Sequence, residues 1–383
     1  MPRGDRRGRV RGRPRHQGDR GESPGAGGRR EHRRPRHRPR LPGRGRRGAG
    51  ADHGRGGRCP MTDATMARFG PEIMARFGPE GVRRIPSSEL PGADAGGVMM
   101  PADAARALAD PGLPLQVGPY FTASTGEPLA LAEYAATIGY PDAVPNGAPE
   151  TTLGLPPNTG PADGPGAEPG TTSGTAGWCR IGTDQGAEIC VTGAGDVQAV
   201  FVTATATPMV VNGSVPAFVG SLLALDRYLP LLASPGDRNP AEIFRELRRS
   251  LLEIDEPALA DDEAWWPRVL EQIRHALSFP FAAAIEYEEA GGGKHVETEQ
   301  ARVGLPHPER LLWDRLDARG IAPGQVTRVY TELEPCFLPG NYCRLRLSRF
   351  RNAEFTYSFD YGATADERER GLLELMQQAA QET

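Results

Sequence analysis

His307, Glu309, Cys336 and Cys343 combine residue types that could do chemistry with a spacing that allows it. His307-Pro308-Glu309 forms one short run, Glu334-Pro335-Cys336 a second, and Cys343 follows seven residues later. One imidazole and two thiolates suit Zn²⁺, which takes N and S ligands at ~2.0–2.3 Å in a tetrahedron. Three protein ligands leave the fourth position to water, and zinc lowers the pKa of that water to about 7. Its proton must then be moved. Glu309, two residues past the His and outside the metal shell, is placed to do so. The plain alternative is that Cys336 and Cys343 are small buried hydrophobes that share a neighbourhood by chance.

These four residues need elements that hold them. The pattern predicts a helix over 308–319 with His307 at its start, where Pro308 costs no hydrogen bond. It predicts a strand over 326–333 that ends at Glu334-Pro335-Cys336, and a short helix over 341–350 that carries Cys343. Around them it predicts an amphipathic stretch over 241–254 and a helix over 261–277. Strands over 281–288 and 294–302 are joined by Gly291-Gly292-Gly293 as a hairpin. A strand over 354–361 and a helix over 365–380 end the chain. The α-β-β-α-β-α-β-α order fits a sheet that opens with a hairpin, continues through right-handed crossovers and is covered by helices.

Upstream, 178–182, 188–191 and 197–202 read as short strands separated by turns, a meander, followed by a helix over 215–232. Pro101 opens a short helix. No His lies between 61 and 235, and Cys179 and Cys190 read as buried core. His295-Val296-Glu297 is a second His-x-Glu, but no helix end presents it, and a solvated strand is its plain reading. Trp265-Trp266 reads as packing under the sheet. Tyr357, Phe359 and Tyr361 alternate along one strand as ordinary sheet packing does.

His-x-Glu followed by Pro-Cys and a second Cys, set on helix, strand and helix, resembles the zinc-dependent nucleobase deaminase superfamily. The likeness covers roughly 262–380, and its nearest form is the deaminase domain of bacterial polymorphic toxin systems. It implies an α/β three-layer domain over 241–383. In it His307, Cys336 and Cys343 hold zinc and Glu309 shuttles a proton in the hydrolytic deamination of a nucleotide or nucleic-acid base. One departure stands out: six residues separate the two Cys where the superfamily has two. The first folded region resembles the SUKH superfamily of immunity proteins. The residues that carry this are Arg83-Arg84-Ile85-Pro86, Leu113-Pro114-Leu115, Ile181-Gly182-Thr183, Ile189-Cys190-Val191 and Phe218-Val219-Gly220-Ser221-Leu222. That likeness implies an α+β protein-binding domain over 61–235 that neutralises a toxin. Two functions follow. One is an immunity protein whose C-terminal domain is a working deaminase. The other is a pure binder whose deaminase-like domain is inactive.

Charge separates along the chain. Residues 1–60 carry 20 Arg against 5 acidic residues, a net +15, while the remainder carries 25 basic and 44 acidic residues, a net −19. The head is Arg/Gly/Pro-rich and too poor in apolar residues to fold, so it reads as disordered. A start at Met61 is the favoured account of it, and a nucleic-acid-binding arm is the other. Residues 141–177 read as a flexible insertion. Met66-Ala67-Arg68-Phe69-Gly70-Pro71-Glu72 recurs at 74–80, one local duplication. The acidic body suits a basic toxin of nuclease or deaminase type. Five Cys at sparse spacing, no secretory leader and no run of ~18 apolar residues predict a cytoplasmic protein away from membranes.

Overall fold

A computed structural model describes residues 63–92, 96–140, 174–203, 206–289 and 291–382. The Arg-rich head and residues 141–173 of the insertion lie outside the described residues.

The first region begins with α1 (Asp63–Phe77), β1 (Val82–Arg83), α2 (Ala102–Ala109), β2 (Leu113–Pro114), β3 (Gln116–Val117), β4 (Phe121–Ala123) and α3 (Leu131–Thr137). The meander follows as β5 (Cys179–Thr183), β6 (Glu188–Val191), β7 (Val197–Val200) and β8 (Met209–Asn212). β1 pairs with β2, and β3-β4-β5-β6-β7-β8 form one antiparallel sheet in sequence order. Sequential order is what short hairpin connections favour. Helix α4 (Val215–Ala233) starts where the Ser214 hydroxyl accepts the Ala217 N–H at 3.2 Å, with Pro216 in the first turn. By length and composition α4 could cross a membrane, which the sequence reading did not foresee, but 72% of its apolar window is buried inside the protein. Phe218, Leu222, Leu225 and Leu229 lie in the core beneath the sheet.

Helix α5 (Pro240–Asp255) is capped by the Asn239 side chain, which accepts the Ala241 N–H at 2.9 Å. Its buried stripe is Ile243, Leu247 and Leu251. Each such side chain contributes about 1.5–3 kcal/mol on full burial. Helix α6 (Trp265–Ser278) follows. Trp265 and Trp266 are buried as expected, but in the core of the first sheet, where the Trp266 indole donates to Asn212 at the end of β8 (2.9 Å).

The second region contains β9 (Ala282–Glu288), β10 (Lys294–Gln300), α7 (Pro308–Ala318), β11 (Val326–Leu333), α8 (Cys343–Leu347), β12 (Glu354–Phe359) and α9 (Ala365–Glu382). Its sheet runs β10-β9-β11-β12. β9 is antiparallel to both neighbours, and β11 and β12 are parallel, joined through α8. Gly292 adopts a left-handed φ of 81° in the hairpin turn. Leu312, Trp313 and Leu316 of α7 pack on Ile285 and Val329. Leu372 and Leu375 of α9 pack with Leu333 and Tyr361. The Arg368 guanidinium makes a bidentate bond to Glu271 (2.8 Å to each oxygen) and so ties α9 to α6. Tyr361 is buried, whereas Tyr357 on edge strand β12 is 44% exposed and does not pack as expected.

The turn at 184–186 between β5 and β6 joins the two regions. The Asp184 carboxylate accepts the Trp265 indole N–H at 2.7 Å and the Tyr342 hydroxyl at 2.6 Å. Gly186 sits so close to Tyr342 that a β-carbon there would lie 2.0 Å from Tyr342 Cδ2. Tyr342 is fully buried and held by its hydrogen bond, so its ring cannot swing aside. Gly186→Ala is therefore expected to cost about 1–3 kcal/mol by overpacking. Denaturant unfolding checks this, and an unchanged midpoint would refute it.

Candidate metal centre

His307 precedes α7 and Glu309 lies in its first turn. Cys336 follows β11, and Cys343 opens α8. The six residues between the Cys form a loop that turns back on itself. The Asn341 and Tyr342 N–H groups donate to the Leu338 carbonyl at 3.2 and 3.0 Å, and Tyr342 takes a left-handed φ of 42°. The Arg344 N–H then reaches the Cys336 carbonyl at 3.1 Å, which brings Cys343 back beside Cys336. The six-residue gap thus closes as a two-residue gap would.

The structure brings the three expected ligands together. His307 Nδ1 lies 3.4 Å from Cys336 Sγ and 3.6 Å from Cys343 Sγ, and the three donor atoms all fall within 4.8 Å of one another. Tetrahedral ligands at zinc bond lengths stand about 3.6 Å apart for N and S, so this donor set fits the ion. All three residues are buried. Glu309 is buried beside them against the Cys343 thiol, and its Oε2 has no hydrogen-bond partner. A buried carboxylate oxygen without a donor leaves an acceptor free for something that enters the site.

Electrostatics treats the two thiols differently. Burial opposes a thiolate at Cys336, but the Cys343 hydrogen bond and the His307 imidazolium outweigh it and hold Cys336 well below the ordinary thiol range. Burial, with the Cys336 charge, pushes Cys343 well above that range. Burial lowers His307, yet the Cys336 charge overrides it and raises the imidazole. Burial also raises Glu309, so its carboxyl holds a proton more readily than an exposed one.

Sequence reasoning missed the supports. Gln272 on α6 donates to the Pro339 carbonyl at 2.6 Å and accepts from the Asn341 amide, and Asn341 Oδ1 accepts the His307 N–H at 2.7 Å. This buried chain fixes the Cys loop against the start of α7. Polar residues that satisfy one another across 69 positions leave no local signal. The other His-x-Glu plays no part: His295 is half exposed on β10, stacked on Tyr287 and paired with Glu289 at 3.7 Å. Cys179 and Cys190 are buried free thiols on β5 and β6.

Residues 71–272, more than half of the chain, match the family of SUKH-4 immunity proteins. The chain belongs to the SUKH-4 immunity protein family. The SUKH-4 match takes in α5 and most of α6. Residues 280–378 of the same SUKH-4 protein match a second family, described as Xanthomonas-like deaminase. Both likenesses drawn from the sequence are borne out, and the metal-binding group lies wholly in the deaminase match. No curated protein and no solved structure matches this SUKH-4 protein.

Proposed function

We propose that this SUKH-4 protein is the immunity component of a bacterial polymorphic toxin system, with a C-terminal zinc-dependent deaminase of three-layer α/β form. The observation that carries the enzymatic half is the approach of His307 Nδ1 to both sulfurs, at 3.4 and 3.6 Å, with an unpartnered Glu309 oxygen alongside. His307, Cys336 and Cys343 would hold the ion. When bound, zinc supplies the Lewis acidity that activates water at neutral pH. Glu309 Oε2 would carry the two protons of the attacking water in turn, one to the ring nitrogen as the C–O bond forms and one to the exocyclic amine as its C–N bond breaks, so that ammonia leaves and a carbonyl remains. The Gln272–Asn341 chain keeps His307 and the Cys loop in register meanwhile. The SUKH domain would bind a toxin of nuclease or deaminase type, and the net −19 of residues 61–383 suits a basic one. Reduced thiols fit a cytoplasmic setting.

One observation favours the second reading, a binder with a silent deaminase domain. The cavity beside His307 measures only about 10 Å³, room for about one water.

Metal analysis of the full chain tests the proposal first. We expect about one zinc per chain in the wild type and close to none in Cys343→Ser, since removal of one of three ligands weakens binding more than ~100-fold. A wild type without zinc would end the metal reading. Ammonia release from nucleosides, single strands or tRNA would then establish the enzyme over the binder.

A further inference from the structure

The small cavity beside His307 is walled by both domains. His307, Pro306 and residues 301–305 line it from the deaminase side, and Tyr120 lines it from the SUKH side. Tyr120 stands at the tip of the β3–β4 hairpin. Gly118 takes a left-handed φ of 50° there, and the Tyr120 N–H closes the turn on the Val117 carbonyl at 3.1 Å. A β-carbon at Gly118 would meet Leu229 Cδ1 at 3.0 Å. The tip is therefore held against Leu229 of α4. Tyr120 is 3% exposed. Burial raises its hydroxyl pKa, and the Cys336 charge raises it further, so the ring is an electrostatic neighbour of the metal centre.

The contact is broad. The hairpin tip meets the Cys loop so closely that a β-carbon on Gly340 would lie 2.9 Å from both the Pro119 carbonyl oxygen and Tyr120 Cδ1. Phe201 of the SUKH domain packs on Phe337 and Tyr342 of the same loop, with ring centroids 4.9 and 5.2 Å apart. Arg310 and Arg346 donate to Gln185 (3.3 and 3.2 Å). Outside lies an open groove of about 580 Å³, walled by Gly118, Leu229, Ala276 and residues 301–305. It shares Ala276 and 301–305 with the small cavity. A groove of that volume is in the range that holds a small ligand, yet it stops short of His307.

We infer that the SUKH domain of this chain, besides any toxin it binds, packs over the deaminase domain of the same chain, and that Tyr120 closes the metal centre from the SUKH side. The covering surface is then the hairpin tip, the turn at 184–186 and Phe201, and what it covers is the Cys336–Cys343 loop. A base reaches Glu309 only when the hairpin tip withdraws. This rests on the reading of His307, Cys336 and Cys343 as the reactive centre of a deaminase.

Thiol accessibility in the metal-free full chain tests it without any need for activity. N-ethylmaleimide labelling of Cys336 and Cys343, read by peptide mass spectrometry, is expected to run at least ten-fold faster in Tyr120→Gly than in wild type. Tyr120→Phe keeps the ring and should label as slowly as wild type. Cys179 and Cys190 report on unfolding and should stay protected throughout. If they label in Tyr120→Gly, Tyr120→Leu fills the SUKH side while falling short of the ligands, and the same ten-fold gain is expected there. A wild type that labels as fast as the variants would overturn the inference, as would variants no faster than wild type. Zinc-loaded Tyr120→Gly is then assayed for ammonia release. Faster labelling with no ammonia from any base leaves the closure by Tyr120 standing and removes the deaminase reading.

Discussion

Glu309→Gln is expected to leave zinc at about one per chain while ammonia release falls by ~10²–10⁴, the range that a positioned proton carrier contributes. The measurement belongs in the Tyr120→Gly chain, where the site is open. Gln fills the same volume and keeps an oxygen, so the buried pocket at the start of α7 stays packed. Its amide cannot take up and return a proton. The wild-type carboxyl is suited to that cycle, because burial raises its pKa and Oε2 has no competing partner. Loss of zinc together with activity would show instead that Glu309 supports the ligands. Retained activity would mean that another group carries the proton.

Asp184→Leu is expected to be the most destabilising change at the domain junction. It strands the Trp265 indole N–H, the Tyr342 hydroxyl and the backbone N–H groups of Gly186 and Ala187. Each buried donor left without a partner costs ~1–3 kcal/mol. Against this, the wild-type carboxylate is fully buried, and burial pushes its pKa to about 6. At pH 7 that shift from 3.8 amounts to about 3 kcal/mol against the folded state. Four stranded donors outweigh it, and a net loss of about 3 kcal/mol is expected in denaturant unfolding at pH 7.

The pH dependence follows from the direction of the shift. Above 6 the carboxyl is ionised folded and unfolded, and the full penalty applies. Between 6 and 3.8 the folded chain holds a proton that the unfolded chain has released, so the penalty fades as pH falls. Wild type should thus gain on Asp184→Leu by about 2 kcal/mol between pH 7 and pH 4. A gap that narrows over this range would contradict the assignment.

Much of the second region was legible because its signals are local. Strand 326–333 matches its expected span, and Gly291-Gly292-Gly293 joins an antiparallel hairpin. Pro308 after His307 marks the start of α7, as Pro in a first helical turn should. The Trp pair was legible as buried but not as to where. Apolar character reports how much surface must be hidden and not which sheet hides it, and only Asn212 and Asp184 decide that. Tyr357 misled because alternation alone does not say that β12 is an edge strand.

By itself the sequence determined the types and spacing of the candidate ligands, the His-x-Glu run at a helix start, and the two family likenesses. Residue type sets the donor chemistry, and short spacing sets local geometry. The six-residue Cys gap was different. Whether it closes depends on a left-handed Tyr342 and on Gln272, 69 positions away from Asn341. Tyr120 was not legible at all, since nothing near it in sequence can ligate a metal. Its place in the cavity wall beside His307 arises because the hairpin tip of one domain is pinned against the Cys loop of the other. Tertiary packing alone decides such a contact, because it joins residues that lie far apart in the chain.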